Sequence, residues 1–198
     1  MKKEYDLNLP AQGKKGALSP GALLSIETLL RLNPHWIVED VSETGNHFSA
    51  ALKDHESGKS FELNGSLSIP DPQALMISLE AGDYGQILIY PQGDDYWAEV
   101  EYNIEIGAEG EEEGPEEAVE RLMVLWLRAI KEYLRMYLKN SINTVFFRYI
   151  MNKIILKMTP SQRKISLMLI RITVVEIIVI LFIVIAYVIF VLRPLASP

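Results

Sequence analysis

The sequence predicts an α+β fold, with an antiparallel sheet of six to seven strands and one long C-terminal helix. Three observations support this. Apolar residues alternate with a period of two over residues 35–106, a helical period returns over residues 115–139, and turn signals separate the alternating segments. Strict alternation leaves one strand face buried and one exposed, as is typical of antiparallel sheets.

The first elements are predicted to be a short strand and a helical segment. Tyr5, Leu7 and Leu9 alternate with polar residues, which favours a strand. Ser19-Pro20 favours a helix start, because serine suits the N-cap and proline the first helical position. Asn33-Pro34 ends the segment, which is either one short helix or a broken pair.

Six strands are then predicted to follow as a meander. Their inward positions are Trp36 and Val38; Phe48, Ala50 and Leu52; Phe61, Leu63, Leu67 and Ile69; Leu75, Ile77 and Leu79; Ile87 and Ile89; and Tyr96, Ala98, Val100, Tyr102, Ile104 and Ile106. In the last strand, the alternate positions are mostly glutamates, so its two faces differ most clearly.

The long helix is predicted to begin at Pro115, after a Gly- and Glu-rich loop at 107–114, and to reach at least Lys139. Its apolar stripe is expected to pack on the sheet, and comprises Leu122, Leu125, Trp126, Ala129, Ile130, Tyr133 and Tyr137.

Residues 141–164 are predicted to form a basic amphipathic helix that lies along a membrane surface. Its apolar face would consist of Ile142, Val145, Phe146, Tyr149, Ile150, Ile154 and Ile155, and Thr159-Pro160-Ser161 would end it. The alternative is that it simply continues the preceding helix and packs on protein.

Residues 165–193 are predicted to be a transmembrane helix, followed by a short tail at 194–198. The apolar run from Ile172 to Leu192 covers 21 residues, or about 31 Å of helix, which matches a hydrocarbon core of about 30 Å. Glu176 lies inside this run, where a carboxylate either has a function or pairs with Arg171 near the head groups.

The flanking charges predict the orientation of this span. The basic residues expected at the membrane interface precede it, whereas only Arg193 follows it; they are Arg148, Lys153, Lys157, Arg163, Lys164 and Arg171. The positive-inside rule then places the N-terminal domain in the cytoplasm, in a single-pass, tail-anchored chain whose partners include membrane lipids.

Charge and composition exclude several functions. Residues 1–120 carry 7 Lys and Arg against 24 Asp and Glu, whereas residues 121–198 carry 12 against 2. We therefore expect no nucleic-acid partner. With no cysteine, no histidine pair at metal-binding spacing, no phosphate-binding glycine loop and no nucleophile elbow, the sequence predicts no metal, no cofactor and no catalytic residues.

The element order resembles the START-like superfamily, also called SRPBCC, helix-grip or Bet v 1-like proteins. The resemblance covers about residues 4–139 and includes the passage from Leu29 to Trp36, which is similar to the helix-to-strand entry in bacterial members. It implies a sheet wrapped around the long helix, with an apolar cavity for lipids, quinones or similar ligands.

The leading hypothesis is a membrane-tethered, non-enzymatic domain that binds a hydrophobic small molecule. The expected lining is Trp36, Phe48, Phe61, Leu63, Val100, Tyr102, Trp126, Ile130 and Tyr133, although these side chains could equally fill a dry core. One alternative is an interaction module that recruits an enzyme complex through the acidic sheet face near Trp97. The other is a polyketide cyclase-like or dehydratase-like enzyme.

Overall fold

The structure, a computed structural model, describes residues 1–13, 16–17, 19–80, 84–103, 115–138, 142–187 and 189. The chain divides into two compact units, residues 1–157 and residues 158–198. Ile104, Ile106, the loop at 107–114, Lys139 and the tail at 194–198, all named in the sequence predictions, lie outside the described residues.

The strands and helices of the described residues follow the predicted order. The strands are β1 (Lys2–Pro10), β2 (Gln12–Gly13), β3 (Gly16–Ala17), β4 (Trp36–Thr44), β5 (His47–Asp54), β6 (Ser60–Ser68), β7 (Leu75–Leu79), β8 (Tyr84–Gln92) and β9 (Asp95–Tyr102). The helices are α1 (Pro20–Leu23), α2 (Ile26–Leu32), α3 (Pro115–Leu138), α4 (Ile142–Lys153) and α5 (Pro160–Tyr187), with a 3₁₀ turn at Ile155–Lys157.

Seven strands form one antiparallel sheet in the order β1-β9-β8-β7-β6-β5-β4. Strands β4 to β9 are a meander, and β1 pairs with the last of them, so that Tyr5 lies opposite Ala98. The small β2-β3 hairpin is separate. The predicted α+β class and the antiparallel sheet of six to seven strands are confirmed.

The helical segment before the sheet is a broken pair. Pro20 opens α1, but Leu24 and Ser25 adopt extended backbone and end it after one turn. Helix α2 restarts because the Ser25 hydroxyl oxygen accepts the Thr28 backbone N–H at 3.2 Å, a standard N-cap. The extended conformation of Asn33 ends α2 directly before β4.

Helix α3 packs on the concave face of the sheet, but its buried stripe is rotated from the predicted one. Trp126, Ile130 and Tyr133 are buried as expected. Leu125, which was expected on this face, is 40% exposed, so that part of the prediction is wrong. The residues buried instead are Met123, Leu127 and Leu134.

Helix α4 belongs to the first unit, which extends to Lys157. One side of α4 contacts the C-terminal part of α3, and Leu156 in the following 3₁₀ turn is buried. The Arg31 guanidinium donates to the Leu156 carbonyl at 3.3 Å. The other side is apolar and exposed at Val145, Phe146, Phe147, Tyr149 and Ile154.

The second unit contains α5, a 28-residue helix that is long and apolar enough to cross a membrane. It begins with a capping box, in which Thr159 and Gln162 satisfy each other's backbone N–H groups at 2.9 and 3.4 Å. The most apolar stretch of 18 residues in α5 has no residue buried against protein. The described chain thus contains one candidate membrane span.

Gly65 marks a close approach between strands β5, β6 and β7. A Cβ atom at this position would overlap the Ser78 carbonyl oxygen and lie 2.9 Å from the Phe48 ring. Phe48 is paired with Gly65 across the sheet, and its ring occupies the space above the glycine. The backbone contact cannot be relieved by a rotamer change.

We predict that Gly65→Ala lowers the free energy of unfolding by about 1–3 kcal/mol, the usual cost of overpacking. Urea unfolding of the full chain in non-ionic detergent, followed by tryptophan fluorescence, measures the effect. Ser66→Ala, at the next residue, serves as the control. Equal midpoints for the two variants would contradict the prediction.

Candidate functional site

The space between the sheet and α3 is occupied by an aromatic cluster centred on Trp126. The Trp126 ring lies 5.1 Å from the Trp36 ring and 6.4 Å from the Tyr84 ring, centroid to centroid. Its indole N–H donates to the Leu29 carbonyl at 2.9 Å. Helix α3 is therefore fixed at its middle to α2, β4 and β8.

The cluster continues to the surface at one end. Phe61 meets Trp36 edge to face at 6.1 Å. Exposure rises along this series: Trp126 is fully buried, Trp36 is half-buried and Phe61 is 37% exposed. Three aromatic rings thus form a continuous apolar path from solvent to the centre of the grip. We call Trp36 and Phe61 the aromatic rim.

The other predicted lining residues lie deeper in the same core. Phe48, Leu63, Val100, Tyr102, Ile130 and Tyr133 are all buried. They are members of one continuous hydrophobic cluster with Trp126. The structure therefore brings the predicted set together, with the aromatic rim as its exposed part.

Sequence reasoning missed Tyr84, which contacts both Trp126 and Tyr102. A bulge between Tyr84 and Gln86 in the pairing with β9 places Tyr84 and Ile87, three residues apart, both in the core. A bulge breaks the period of two, so alternation from Ile87 could not identify Tyr84 as buried.

A series of hydrogen-bonded side chains connects β9 and β1 to α3 at one end of the core. The Tyr102 and Tyr5 hydroxyls lie 2.7 Å apart, and the Tyr5 hydroxyl donates to the Glu120 carboxylate at 3.0 Å. Because Tyr5 donates to Glu120, it accepts from Tyr102. The Lys3 ammonium pairs with the other Glu120 oxygen. We call these four residues the Glu120 network.

The Glu120 network fixes the protonation states of its members. The hydrogen bond from Lys3 is the largest effect on Glu120 and lowers the pKa of its carboxyl, which favours the anion. Burial raises the pKa of the Tyr102 and Tyr5 phenols, so both stay neutral. At neutral pH these phenols are hydrogen-bond donors rather than bases.

A second polar cluster ties α4 to α3. The Tyr133 hydroxyl donates to the Asn152 amide oxygen at 3.0 Å and lies 3.1 Å from the Tyr137 hydroxyl. The Asn152 amide nitrogen donates to Tyr137 at 3.2 Å. Burial raises the pKa of Tyr133, which keeps it a neutral donor. Both tyrosines of the predicted lining, Tyr102 and Tyr133, therefore have hydrogen-bond partners.

The residues predicted for a membrane interface occupy several environments. Arg148 is half-buried, with its guanidinium 5.1 Å above the Tyr137 ring, whereas Lys153 and Lys157 are exposed. In the second unit, the Arg163 guanidinium donates to the Met158 carbonyl at 3.0 Å, and Arg171 is exposed. The Lys164 side chain is outside the described set.

Glu176 and Trp97 also have definite places. Glu176 is exposed on α5, and the described part of the chain contains no ion pair between it and Arg171. Trp97 is half-buried on the outer face of the sheet, with Asp6 and Tyr90 as cross-strand neighbours.

Two surface pockets have clear linings. A pocket of about 260 Å³ is lined by β4, β5 and β6 residues such as Ser42, Phe48 and Asn64. A groove of about 360 Å³ separates β1 from α3. Within the described residues, no group of three or more His, Asp or Glu side chains could hold a metal ion.

The architecture is that of a helix-grip domain, with seven antiparallel strands wrapped on one long helix. No protein-family model matches the chain, and no curated protein matches it. Solved structures resemble it at low sequence identity.

Three of these structures illustrate the likeness. The AHSA1-like protein from Aeromonas hydrophila is 13% identical, with a TM-score of 0.44 over 71% of this chain and 97% of that one. A START superfamily protein from Mycobacterium smegmatis is 14% identical, with a TM-score of 0.39 over 70% and 95%. Ara h 8.0201 is 14% identical, with a TM-score of 0.36 over 68% and 95%.

We predict that Glu120→Gln lowers the free energy of unfolding by about 1–2 kcal/mol at neutral pH, because it removes a charged acceptor from Lys3 and Tyr5. The pKa of Glu120 is lowered in the folded state, so its contribution is present above the ordinary carboxyl pKa and is lost as pH falls through the folded value. The gap between wild type and variant should close on acidification.

Glu117→Gln is the matched control, because Glu117 is exposed one turn earlier on α3. Urea unfolding at pH 7 and at successively lower pH values measures both variants. A gap for Glu120→Gln that equals the control, or that widens in acid, would refute the assigned role of the network.

Proposed function

We propose that this protein is a membrane-tethered helix-grip domain that binds a hydrophobic small molecule, such as a lipid or a quinone, at the aromatic rim. The observation that carries the proposal is the continuous series Phe61, Trp36 and Trp126, which runs from a partly exposed ring to a fully buried one. Apolar walls with a few polar groups are typical of small-molecule sites.

The interior determines how such a ligand would bind. Behind the rim, the core side chains are closely packed, and Ile87, Ile89, Val100 and Ile130 are fully buried. A ligand therefore gains access by displacing Phe61 and Trp36, which are the partly exposed members of the cluster. Moving a half-exposed ring costs less apolar burial than moving a ring of the deep core.

Tethering suits an apolar ligand. Helix α5 has the length and apolar surface of a membrane span, and α4, which precedes it in the sequence, exposes Val145, Phe146, Phe147, Tyr149 and Ile154. We assign α5 to the bilayer core and the exposed face of α4 to the bilayer interface, with Lys153 and Lys157 among the head groups. The ligand then passes between bilayer and domain without crossing much water.

We predict that Phe61→Ser weakens retention of the apolar ligand roughly tenfold, because it removes one wall of the rim and an aromatic contact. Native mass spectrometry of the full chain, released from non-ionic detergent after purification from membranes, measures the fraction that carries extra mass. Trp97→Ala, on the opposite sheet face, is the control and should retain the ligand. A chain that is always empty, or equal retention by both variants, would argue against the proposal.

We predict that α4 lies at the bilayer interface. In liposomes containing brominated phospholipids, the fluorescence of Phe146→Trp should be strongly quenched, because bromine quenches tryptophan only at close range. Val124→Trp is the control: Val124 is 43% exposed on α3 and should be quenched little. The native tryptophan signal is subtracted with wild type. Equal quenching of the two variants would place α4 away from lipid.

A further inference from the structure

Among the residues that the structure describes, one edge of strand β1 pairs with no other strand. It is the outermost strand of the sheet, beside β9. Met1 exchanges two backbone hydrogen bonds with Tyr102, at 2.7 and 3.0 Å, and the register continues through Lys3↔Val100 and Tyr5↔Ala98. Antiparallel pairing alternates, so the backbone groups of Lys2, Glu4 and Asp6 point away from β9.

The groove of about 360 Å³ lies beside this edge. Helix α3 runs along β1, because Lys3 and Tyr5 contact Glu120 while Leu7, further along the strand, lines the groove with Leu127. Leu7 and Leu127 are buried and Val124 is 43% exposed, so the groove has an apolar floor.

The groove also contains cations without partners. Arg128 and Lys131, one turn apart on α3, line it, and neither has an ion-pair or hydrogen-bond partner among the residues that the structure describes. Glu132 is paired with Arg135 at 3.6 Å. Asp6, whose carboxylate accepts the Asn8 backbone N–H at 2.6 Å, supplies one negative charge. One positive charge remains uncompensated, in a domain that is otherwise strongly acidic.

We propose that this groove binds an extended peptide segment of a partner protein, which adds a strand to β1 and places one acidic side chain between Arg128 and Lys131. Strand addition satisfies the outward backbone groups of Glu4 and Asp6, and the carboxylate satisfies the two cations. This site is separate from the aromatic rim.

The dimensions fit a short segment. From Val124 to Lys131, α3 rises about 10 Å, which equals about three residues of a strand. The register of β1 with β9 is interrupted between Asp6 and Pro10, where Asn8 has a positive φ of 46°, so the regular edge ends at Asp6. A pentapeptide centred on Tyr5 would turn its first, third and fifth side chains towards α3, because these lie opposite Lys3, Tyr5 and Leu7, whose side chains face α3.

A free fatty acid is the main competing occupant, but it cannot form backbone hydrogen bonds with the edge of β1. Its carboxylate could reach the cations and its chain could cover the apolar floor, but the N–H and C=O groups of Glu4 and Asp6 would stay without a protein partner. A peptide uses all three features of the groove.

The test uses the full chain in non-ionic detergent and the blocked pentapeptide acetyl-VTETV-amide. We expect binding with protection of the Glu4 and Asp6 amides from hydrogen exchange. The double variant Arg128→Glu, Lys131→Glu should bind about tenfold more weakly, as should the peptide acetyl-VTQTV-amide with wild type. Lys59→Glu, an exposed lysine in a distant turn, is the matched control.

Each alternative outcome has a distinct interpretation. No protection of Glu4 and Asp6, or equal binding of the two peptides, would overturn the proposal. Binding of sodium octanoate that depends on Arg128 and Lys131, with no peptide binding, would assign the groove to a fatty acid instead. If circular dichroism shows that the charge-reversed protein is unfolded, Arg128→Gln, Lys131→Gln replaces it, with the same expectations.

Discussion

The position of α3 depends on one buried indole. Trp126 is the largest fully buried side chain, its N–H donates to the Leu29 carbonyl at 2.9 Å, and its ring contacts Trp36 and Tyr84. A buried indole N–H without an acceptor is costly, so this hydrogen bond restricts the rotation of α3 as well as its depth. Through Trp126, the carbonyl end of α2 determines which face of the long helix meets the sheet.

Both candidate sites follow from that rotation. Turning Met123, Leu127 and Leu134 into the core directs Val124, Arg128 and Lys131 towards the β1 side, where they line the groove. The same rotation leaves Leu125 exposed. The Glu120 network strengthens the arrangement at one end, because Lys3 and Tyr5 bind the first turns of α3 to the edge strand.

The sequence predicts the sheet well, because alternation is a local consequence of burying one face of each strand. It predicts the site residues less completely, since Tyr84 is buried only through a bulge that depends on its pairing with β9. The rotation of α3 escapes prediction for a similar reason: both Leu125 and Leu127 are apolar, and the distant Leu29 carbonyl helps to decide between them. For α4, the apolar face was expected to include Ile150 and Ile155, yet both are half-buried. Asn152, a polar residue, provides the contact with Tyr133.

The use of polar residues for the contact between α4 and its domain has a consequence for the apolar side chains of α4. A helix that meets its own domain through Asn152 and Arg148 must direct its remaining apolar side chains elsewhere, and the exposed Phe146, Phe147 and Tyr149 have no protein surface to cover them among the described residues. In water, each exposed aromatic side chain forgoes about 1.5–3 kcal/mol of burial. A lipid interface recovers that free energy. It also supplies apolar molecules at high local concentration, so a site with a closely packed interior needs only modest affinity at its aromatic rim to be occupied. The polar contacts of α4 and the partly open rim therefore make physical sense together when the domain is held at a membrane.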